Sequence, residues 1–346
     1  MQSKSKNSLG EVLKTAINQQ LDRLLGDFSV LAPRIKHLSF DSTVCGERIC
    51  VRASYISFRD DQPTFDEFIE VISDHIIPFC LPRSEIRDAK AAIVSGDHAT
   101  AGRIMTRLNE KARALFIKAK EGSHRSGEAG EIVLYILNEW ILHAPQIVSK
   151  MYLKTNNQMP VHGTDGIHAR YDGATKWLLL YWGESKAHSK LASALSDALA
   201  SISEFVEKSH ERKEIELVAA HADLDGVDSE GKEAILRYLD PYSSESNERI
   251  AIHSCLLVFE FPIPPSTEPG AAEKEFCAEV NGAVKKFIKD IKNTVENRGL
   301  GAQRFEFSSC LCLLCRDFAT NFKPKSGGRN DRRACRPRLV TRKTAP

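Results

Sequence analysis

One segment, residues 175–186 with the sequence TKWLLLYWGESK, constrains the fold of this chain most strongly. It is an apolar run rich in residues that favour β-strands, and it becomes polar abruptly at Glu184. Side chains alternate between the two faces of a strand, so Glu184 and Lys186 should point to the same face. The segment therefore predicts a buried strand that ends in two opposite charges.

The elements around this strand predict a mixed α/β core in residues 122–322. An apolar helix over GEIVLYILNEWIL comes first, and strands over IVSKMYLKT and VHGTDGIHARY follow it. Beyond the Glu184 strand we expect a helix over residues 187–208, a charged helical insert over about 209–246, and a strand over IHSCLLVFEF. A helix over residues 271–297 and a strand over RFEFSSCLCLL complete the order α-β-β-β-α-insert-β-α-β.

The first part of the chain, residues 1–121, is predicted to form a separate mixed α+β domain. Helical periodicity covers residues 11–25 and three later segments, and IKHLSF and ERICVRASYISF have the alternation of two strands. The polar segment KAKEGSHRSGE marks the expected boundary. No catalytic constellation lies in this domain, so docking to a partner protein is the role that we expect for it.

The net charge does not decide whether the chain binds nucleic acid, because it hides an asymmetry along the sequence. The net charge is +2, yet residues 323–346 hold nine Lys or Arg against one acid, a local charge of +8, and the rest of the chain sums to −6 (+2 minus +8). The tail is expected to be disordered, and either binds nucleic acid nonspecifically or has no role. A mildly acidic body does not exclude nucleic acid, because phosphate contacts need only a local basic strip.

Other features of the composition indicate the compartment. Nine irregularly spaced cysteines favour reduced thiols over a disulfide framework. No stretch of 18 apolar residues occurs, and the N-terminus lacks the apolar centre of a signal peptide. We therefore expect a cytoplasmic protein without a membrane span.

The charged end of the Glu184 strand predicts a metal site for phosphodiester hydrolysis. Asp165 follows a His-Gly-Thr turn that should bring its carboxylate beside Glu184. Mg²⁺ or Mn²⁺ prefers oxygen ligands and keeps several waters, so Asp165, Glu184 and the carbonyl of Ser185 are enough to hold it. Lys186 would orient or deprotonate the attacking water.

The helix before these strands offers two more carboxylates, Glu128 and Glu131, which share a helix face. Glu131 is predicted to reach the site as a ligand of a second metal or of water, whereas Glu128 is the less certain candidate and could instead interact with the helix dipole. Each part of this pattern is common by chance. Their order, with a helix-borne Glu, a turn Asp and then a strand ending in E-x-K, predicts the PD-(D/E)xK, or restriction-endonuclease-like, nuclease core.

Three other interpretations compete for these and nearby residues. His162, Asp165 and His168 could form a zinc cluster, but they lack helical HExxH spacing, and His162 is better explained as shaping the site or contacting phosphate. The segment DLDGVDSEG from Asp223 resembles a calcium loop or a phosphatase motif, although its glycine is misplaced for the former. A zinc knuckle could also use four C-terminal cysteines, for which burial in an apolar strand is the simpler explanation. These are Cys310, Cys312, Cys315 and Cys335.

Beyond the motif, RSGEAGE, SKMYLKTNNQMPVHGTDGIH and LLLYWGESK resemble the HamA family of the Hachiman anti-phage system. The resemblance is strongest over residues 125–205, and the basic tail departs from the ending of that family. It implies a PD-(D/E)xK nuclease that cuts DNA and is restrained by a helicase, HamB. The family's motif would fall on Glu131, Asp165, Glu184 and Lys186. The alternative is a non-catalytic, nucleic-acid-binding regulatory subunit on the same scaffold.

Overall fold

The structure is a computed structural model, and it describes residues 17–38, 43–44, 48–122, 127–153, 164–207, 210–262 and 268–311. Residues 17–22 are helical. The strands are β1 (Ile35–Leu38), β2 (Thr43–Val44), β3 (Ile49–Ile56), β4 (Phe58–Arg59), β5 (Gln62–Pro63), β6 (Gln146–Val148), β7 (Gly166–Asp172), β8 (Trp177–His188), β9 (Arg249–Phe259) and β10 (Phe305–Leu311). The helices are α1 (Phe65–Asp74), α2 (Ile76–Cys80), α3 (Arg83–Ser95), α4 (His98–Gly122), α5 (Gly127–Trp140), α6 (Lys150–Leu153), α7 (Leu191–Glu207), α8 (His210–His221), α9 (Ser229–Leu239) and α10 (Ala272–Asn297).

One mixed sheet organises the chain. Its strands lie in the order β1-β3-β10-β9-β8-β7-β6, and β2 pairs with β3 beside this path. The neighbours β3, β10, β9 and β8 are parallel, whereas β1, β7 and β6 run antiparallel to their partners. Helices cover both faces, so the predicted mixed α/β architecture is confirmed. Its assignment to the PD-(D/E)xK fold stays a prediction.

The two faces of the sheet carry different cores because side chains alternate along each strand. On β9, Leu256 and Val258 pack in a core with residues of α1, α2, α4 and α5. Their neighbours Cys255 and Leu257 point to the other face and pack against α7 and α10. Helices α5 and α7 therefore lie on opposite sides of β8 and β9. A side chain of β8 can consequently contact one of these helices but not the other.

The predicted boundary after residue 121 does not separate two cores. Strand β3 belongs to the first segment, yet it pairs over residues 49–55 with β10 near the end of the described chain. Phe79 and Phe116 of the first segment share one buried cluster with Leu134 of α5. Pairing between segments so distant in sequence leaves no local pattern, and for this reason the sequence suggested a separate domain.

Two element boundaries also differ from the sequence expectation. The strand predicted over IVSKMYLKT is limited to β6, and the short helix α6 follows it. Where the chain leaves the sheet, the hydroxyl of Ser149 donates to the carbonyls of Phe79 and Cys80, at 3.3 and 3.2 Å. Strand β8 continues two residues beyond Lys186, paired with β9. Helix α7 therefore begins at Leu191 and not at residue 187.

A buried charge network ties the first segment to the rest. Arg83, at the start of α3, donates to the carbonyls of Leu24, Gln146 and Asp223 at 2.8–3.1 Å. Its guanidinium also lies 3.5 Å from Glu139, whose side chain is fully buried. Glu139 in turn accepts backbone N–H groups from Gly26 and Gln146, both at 2.9 Å. Three segments that are distant in sequence thus meet at one ion pair.

Several smaller expectations can be compared with the described residues. None of the described helices is long and apolar enough to cross a membrane. Cys255 and Cys277 are thiols outside any disulfide, as expected for reduced cysteines. The predicted insert forms helices α8 and α9 and a 3-10 turn. The basic tail, residues 323–346, lies outside the described residues and its role stays a prediction.

Candidate active site

The structure brings Asp165, Glu184 and Lys186 together where β7 begins. Gly166 pairs with Gly183, so Asp165 lies opposite Glu184, and its N–H donates to the Gly183 carbonyl at 2.7 Å. The Asp165 carboxylate accepts the N–H of Ser185 at 2.7 Å. Glu184 and Lys186 share a face of β8, with 2.6 Å between Nζ and Oε1. The period of two along the strand predicted the shared face of Glu184 and Lys186, and the turn before Asp165 predicted its place beside them.

Two carboxylates in a confined place repel each other, and the pKa of Glu184 reflects this. Burial raises that pKa to about 7 and the charge of Asp165 adds to the effect, while Lys186 and a hydrogen bond from Ser201 work against it. Burial alone would lower the pKa of Lys186, but Glu184, Asp165 and Asp197 outweigh it and the pKa rises. A further positive charge at this place would relieve the repulsion between the two acids.

Helix α7 supplies polar neighbours that the sequence analysis did not identify. Ser201 reaches Glu184, and Asp197 lies one turn earlier on the same helix. Asp197 also pairs with His188, whose Nε2 lies 2.8 Å from the carboxylate. His188 continues the row of Glu184 and Lys186 with the same period of two. That period was visible in the sequence, but residues 187 and 188 had been assigned to a helix.

A divalent cation fits the donors present. The N–H and C=O of one strand residue point to the same side. The N–H of Ser185 points to Asp165, so the carbonyl of Ser185 points to that side as well. Both groups lie just past the Gly166–Gly183 pair, where the pairing of β7 with β8 begins. Asp165, Glu184 and this carbonyl would give a cation three oxygen ligands, with water completing the shell. Among the described residues, no three acidic, His or Cys side chains are grouped closely enough to hold a metal without such help.

Glu131 is not brought into this cluster. Helix α5 packs on the opposite face of the sheet, where a β-carbon on Gly130 would lie 2.1 Å from Oγ of Ser185. Glu131 follows Gly130 and is buried in that layer, whereas Glu184 faces α7. The role of Glu131 as a ligand stays a prediction. The side chain of Glu128 lies outside the described part of the chain.

One residue of the possible zinc cluster, His168, does not face Asp165. His168 is fully buried on the face of β7 opposite Asp165, and its Nδ1 lies 2.9 Å from the Ala144 carbonyl. Burial lowers its pKa to about 4, so the ring is a neutral core group. His162 lies outside the described residues, as do the side chains of the four C-terminal cysteines. The roles weighed for these five residues therefore stay predictions.

The calcium-loop or phosphatase interpretation of DLDGVDSEG is replaced by structural roles for its aspartates. Asp223 accepts the backbone N–H of Arg83 at 2.7 Å. Asp225 forms an ion pair with Arg87. Asp228 is the N-cap of α9 and accepts the N–H of the third helical residue at 2.8 Å. The segment thus joins the insert to helix α3.

The fold and the cluster define the class of protein: a mixed α/β sheet between helical layers, with two carboxylates and a lysine where β7 and β8 meet. The chain belongs to the HamA family, whose model matches residues 30–312. No curated protein matches the chain. Membership implies a role in anti-phage defence and a partner within the Hachiman system. The resemblance found in the sequence is therefore confirmed at the level of the family.

Proposed function

We propose that the chain is a metal-dependent DNA nuclease of the PD-(D/E)xK type, acting as an effector of anti-phage defence under the restraint of a partner helicase. The observation that carries the proposal is the convergence of Asp165, Glu184 and Lys186 beside one backbone carbonyl. Such a set suits hydrolysis of a phosphodiester, which needs charge neutralisation and an oriented water.

The carboxylates of Asp165 and Glu184 would hold Mg²⁺ or Mn²⁺ together with the Ser185 carbonyl. A cation bound there supplies the charge that the leaving oxygen and the attacking water require. The raised pKa of Glu184 supports this role, because a buried carboxylate with a second carboxylate beside it favours either a proton or a metal.

Lys186 would orient the attacking water and stabilise negative charge. The sequence left open whether this lysine deprotonates the water. Its raised pKa means that it keeps its proton near neutral pH, which favours orientation over proton removal. Its side chain is about 29% exposed, so solvent and a phosphate can reach it.

Metal titration followed by DNA cleavage tests the proposal. We expect the chain to bind Mn²⁺ in a calorimetric titration and to nick plasmid DNA. Asp165→Asn should lose both properties, because it removes one of two carboxylates. Asp172→Asn is the matched control: it lies at the other end of the same strand, where Asp172 accepts the hydroxyl of Thr175 at 2.6 Å. It should keep both properties.

The outcomes separate two functions. Cleavage that survives Asp165→Asn overturns the assignment of the site. A chain that binds DNA but neither Mn²⁺ nor Mg²⁺, and cleaves nothing, is instead a regulatory subunit on a nuclease-like scaffold.

A further inference from the structure

A buried ion pair outside the cluster draws attention to the insert. Lys150 of α6 and Glu214 of α8 are 2.8 Å apart, and their side chains are only 1% and 5% exposed. A Lys–Glu pair at this depth is unusual, because both ions must leave water. Replacing such pairs with apolar residues is often neutral or stabilising, so overall stability is a weak reason for its presence.

The lysine of this pair also binds the residue that precedes Asp165. Its Nζ donates to the carbonyl of Thr164 at 2.8 Å and to the hydroxyl at 2.9 Å. The contact with Glu214 is an ion pair whose geometry does not make a hydrogen bond, whereas both contacts with Thr164 are hydrogen bonds that the ammonium group donates. The backbone of Thr164 is thus anchored to a fixed charge.

Asp165 is held on its other side by β8. Its N–H binds the Gly183 carbonyl, and its carboxylate accepts the Ser185 N–H. A continuous series of contacts therefore runs from Glu214 through Lys150 and Thr164 to Asp165. The last link is the carboxylate that faces Glu184.

We propose that Lys150 and Glu214 are positioning residues, which fix the backbone at Thr164 so that the Asp165 carboxylate stays beside Glu184. This inference rests on the proposed function and deepens it. Helix α8 of the insert then contributes, through Glu214, to the position of a metal ligand. Groups that hold first ligands in place typically change metal affinity by ~10- to 100-fold when they are removed.

The test compares two double substitutions. Lys150→Met with Glu214→Leu removes both buried charges together, which avoids leaving one charge unpaired. The matched control is Arg237→Met with Glu233→Leu, a pair on α9 of the same insert with the same 2.8 Å separation but exposed side chains. Mn²⁺ affinity is measured by calorimetry on both variants, after circular dichroism and a thermal melt have established their folding.

We expect Mn²⁺ to bind the buried-pair variant at least about tenfold more weakly at a melting temperature close to that of the wild type. The control should bind like the wild type. Plasmid cleavage by the buried-pair variant should recover at saturating Mn²⁺, because positioning affects the occupancy of the site more than the chemistry. A purely structural pair would change the melting temperature and leave the metal affinity of the folded chain unchanged.

A folded buried-pair variant with wild-type Mn²⁺ affinity overturns the inference. If that variant does not fold, Thr164→Val decides: it keeps both charges and removes one acceptor, and should weaken Mn²⁺ binding about two- to tenfold. Unchanged affinity in Thr164→Val would then overturn the inference. A wild-type chain that binds no Mn²⁺ and cleaves no DNA refutes the proposed function and, with it, this inference.

Discussion

Replacing Arg83 with Met should destabilise the chain strongly, because Arg83 is the only partner of opposite charge that the described ion pairs give to Glu139. The variant would leave the carbonyls of Leu24, Gln146 and Asp223 without the donor described above. Breaking a buried ion pair by removing one partner costs about 3–5 kcal/mol. For a chain of this length, that cost corresponds to a fall in Tm of roughly 4–7 °C.

The loss should depend on pH in a defined direction. Burial already raises the pKa of Glu139, and removal of Arg83 should raise it further. A carboxyl whose pKa is raised by folding stabilises the folded state only while it is protonated, so the deficit of the variant should grow as pH rises. The double variant Arg83→Met with Glu139→Gln should lose this dependence.

Differential scanning calorimetry from pH 5 to pH 8 measures both effects. The matched control is Arg87→Met, one turn further along α3, where the side chain is 59% exposed and pairs with Asp88 and Asp225. Water replaces those partners, so the Tm should change little. Equal melting temperatures for Arg83→Met and Arg87→Met would refute the importance of the buried pair.

Three further predictions follow from the site, the tail and the partner. Because Glu184 has a pKa of about 7, Mn²⁺ binding should release a proton from it. Below pH 7 the Mn²⁺ affinity should therefore decrease, by up to about tenfold for each pH unit. Calorimetry that gives the same affinity at pH 6 and pH 8 contradicts this. Removing residues from Lys323 onward takes away eight net positive charges. The slope of log DNA affinity against log salt concentration should become shallower by about 0.9 for each phosphate contact that is lost. An unchanged slope shows that the tail does not contact DNA. In complex with the helicase that we propose as its partner, the chain should cleave no plasmid until ATP and helicase substrate DNA are added. Cleavage by the resting complex at the rate of the free chain would refute restraint.

The sequence predicted the central part of the fold because local patterns determine it. The order of elements from α5 to β10 follows hydrophobic periodicity and turn residues, and the structure confirms it except for the short helix α6, which the sequence did not indicate. The shared face of Glu184 and Lys186 follows from the period of two along a strand, and the turn before Asp165 indicated that this side chain would lie beside them. These features depend on residues close together in the chain.

Features that depend on distant contacts were missed. The pairing of β3 with β10 has no local signal, so the first segment was assigned to a separate domain. Helix α5 approaches the sheet closely at Gly130 and Ser185, which are distant in sequence, so the helical face of Glu131 alone could not show whether it reaches the site. The sequence around Lys150 and Glu214 does not indicate their burial, because lysine and glutamate usually lie at the surface.

The central claim is that Lys186 and the two carboxylates form one hydrolytic site with separate duties, and plasmid cleavage by Lys186→Ala tests it most directly. The substitution removes a positive charge beside Glu184, which should leave Mn²⁺ affinity intact or increased. Cleavage at saturating Mn²⁺ should nevertheless be abolished, since the water loses the group that orients it. Cleavage at the wild-type rate by a variant with wild-type metal affinity would contradict the account.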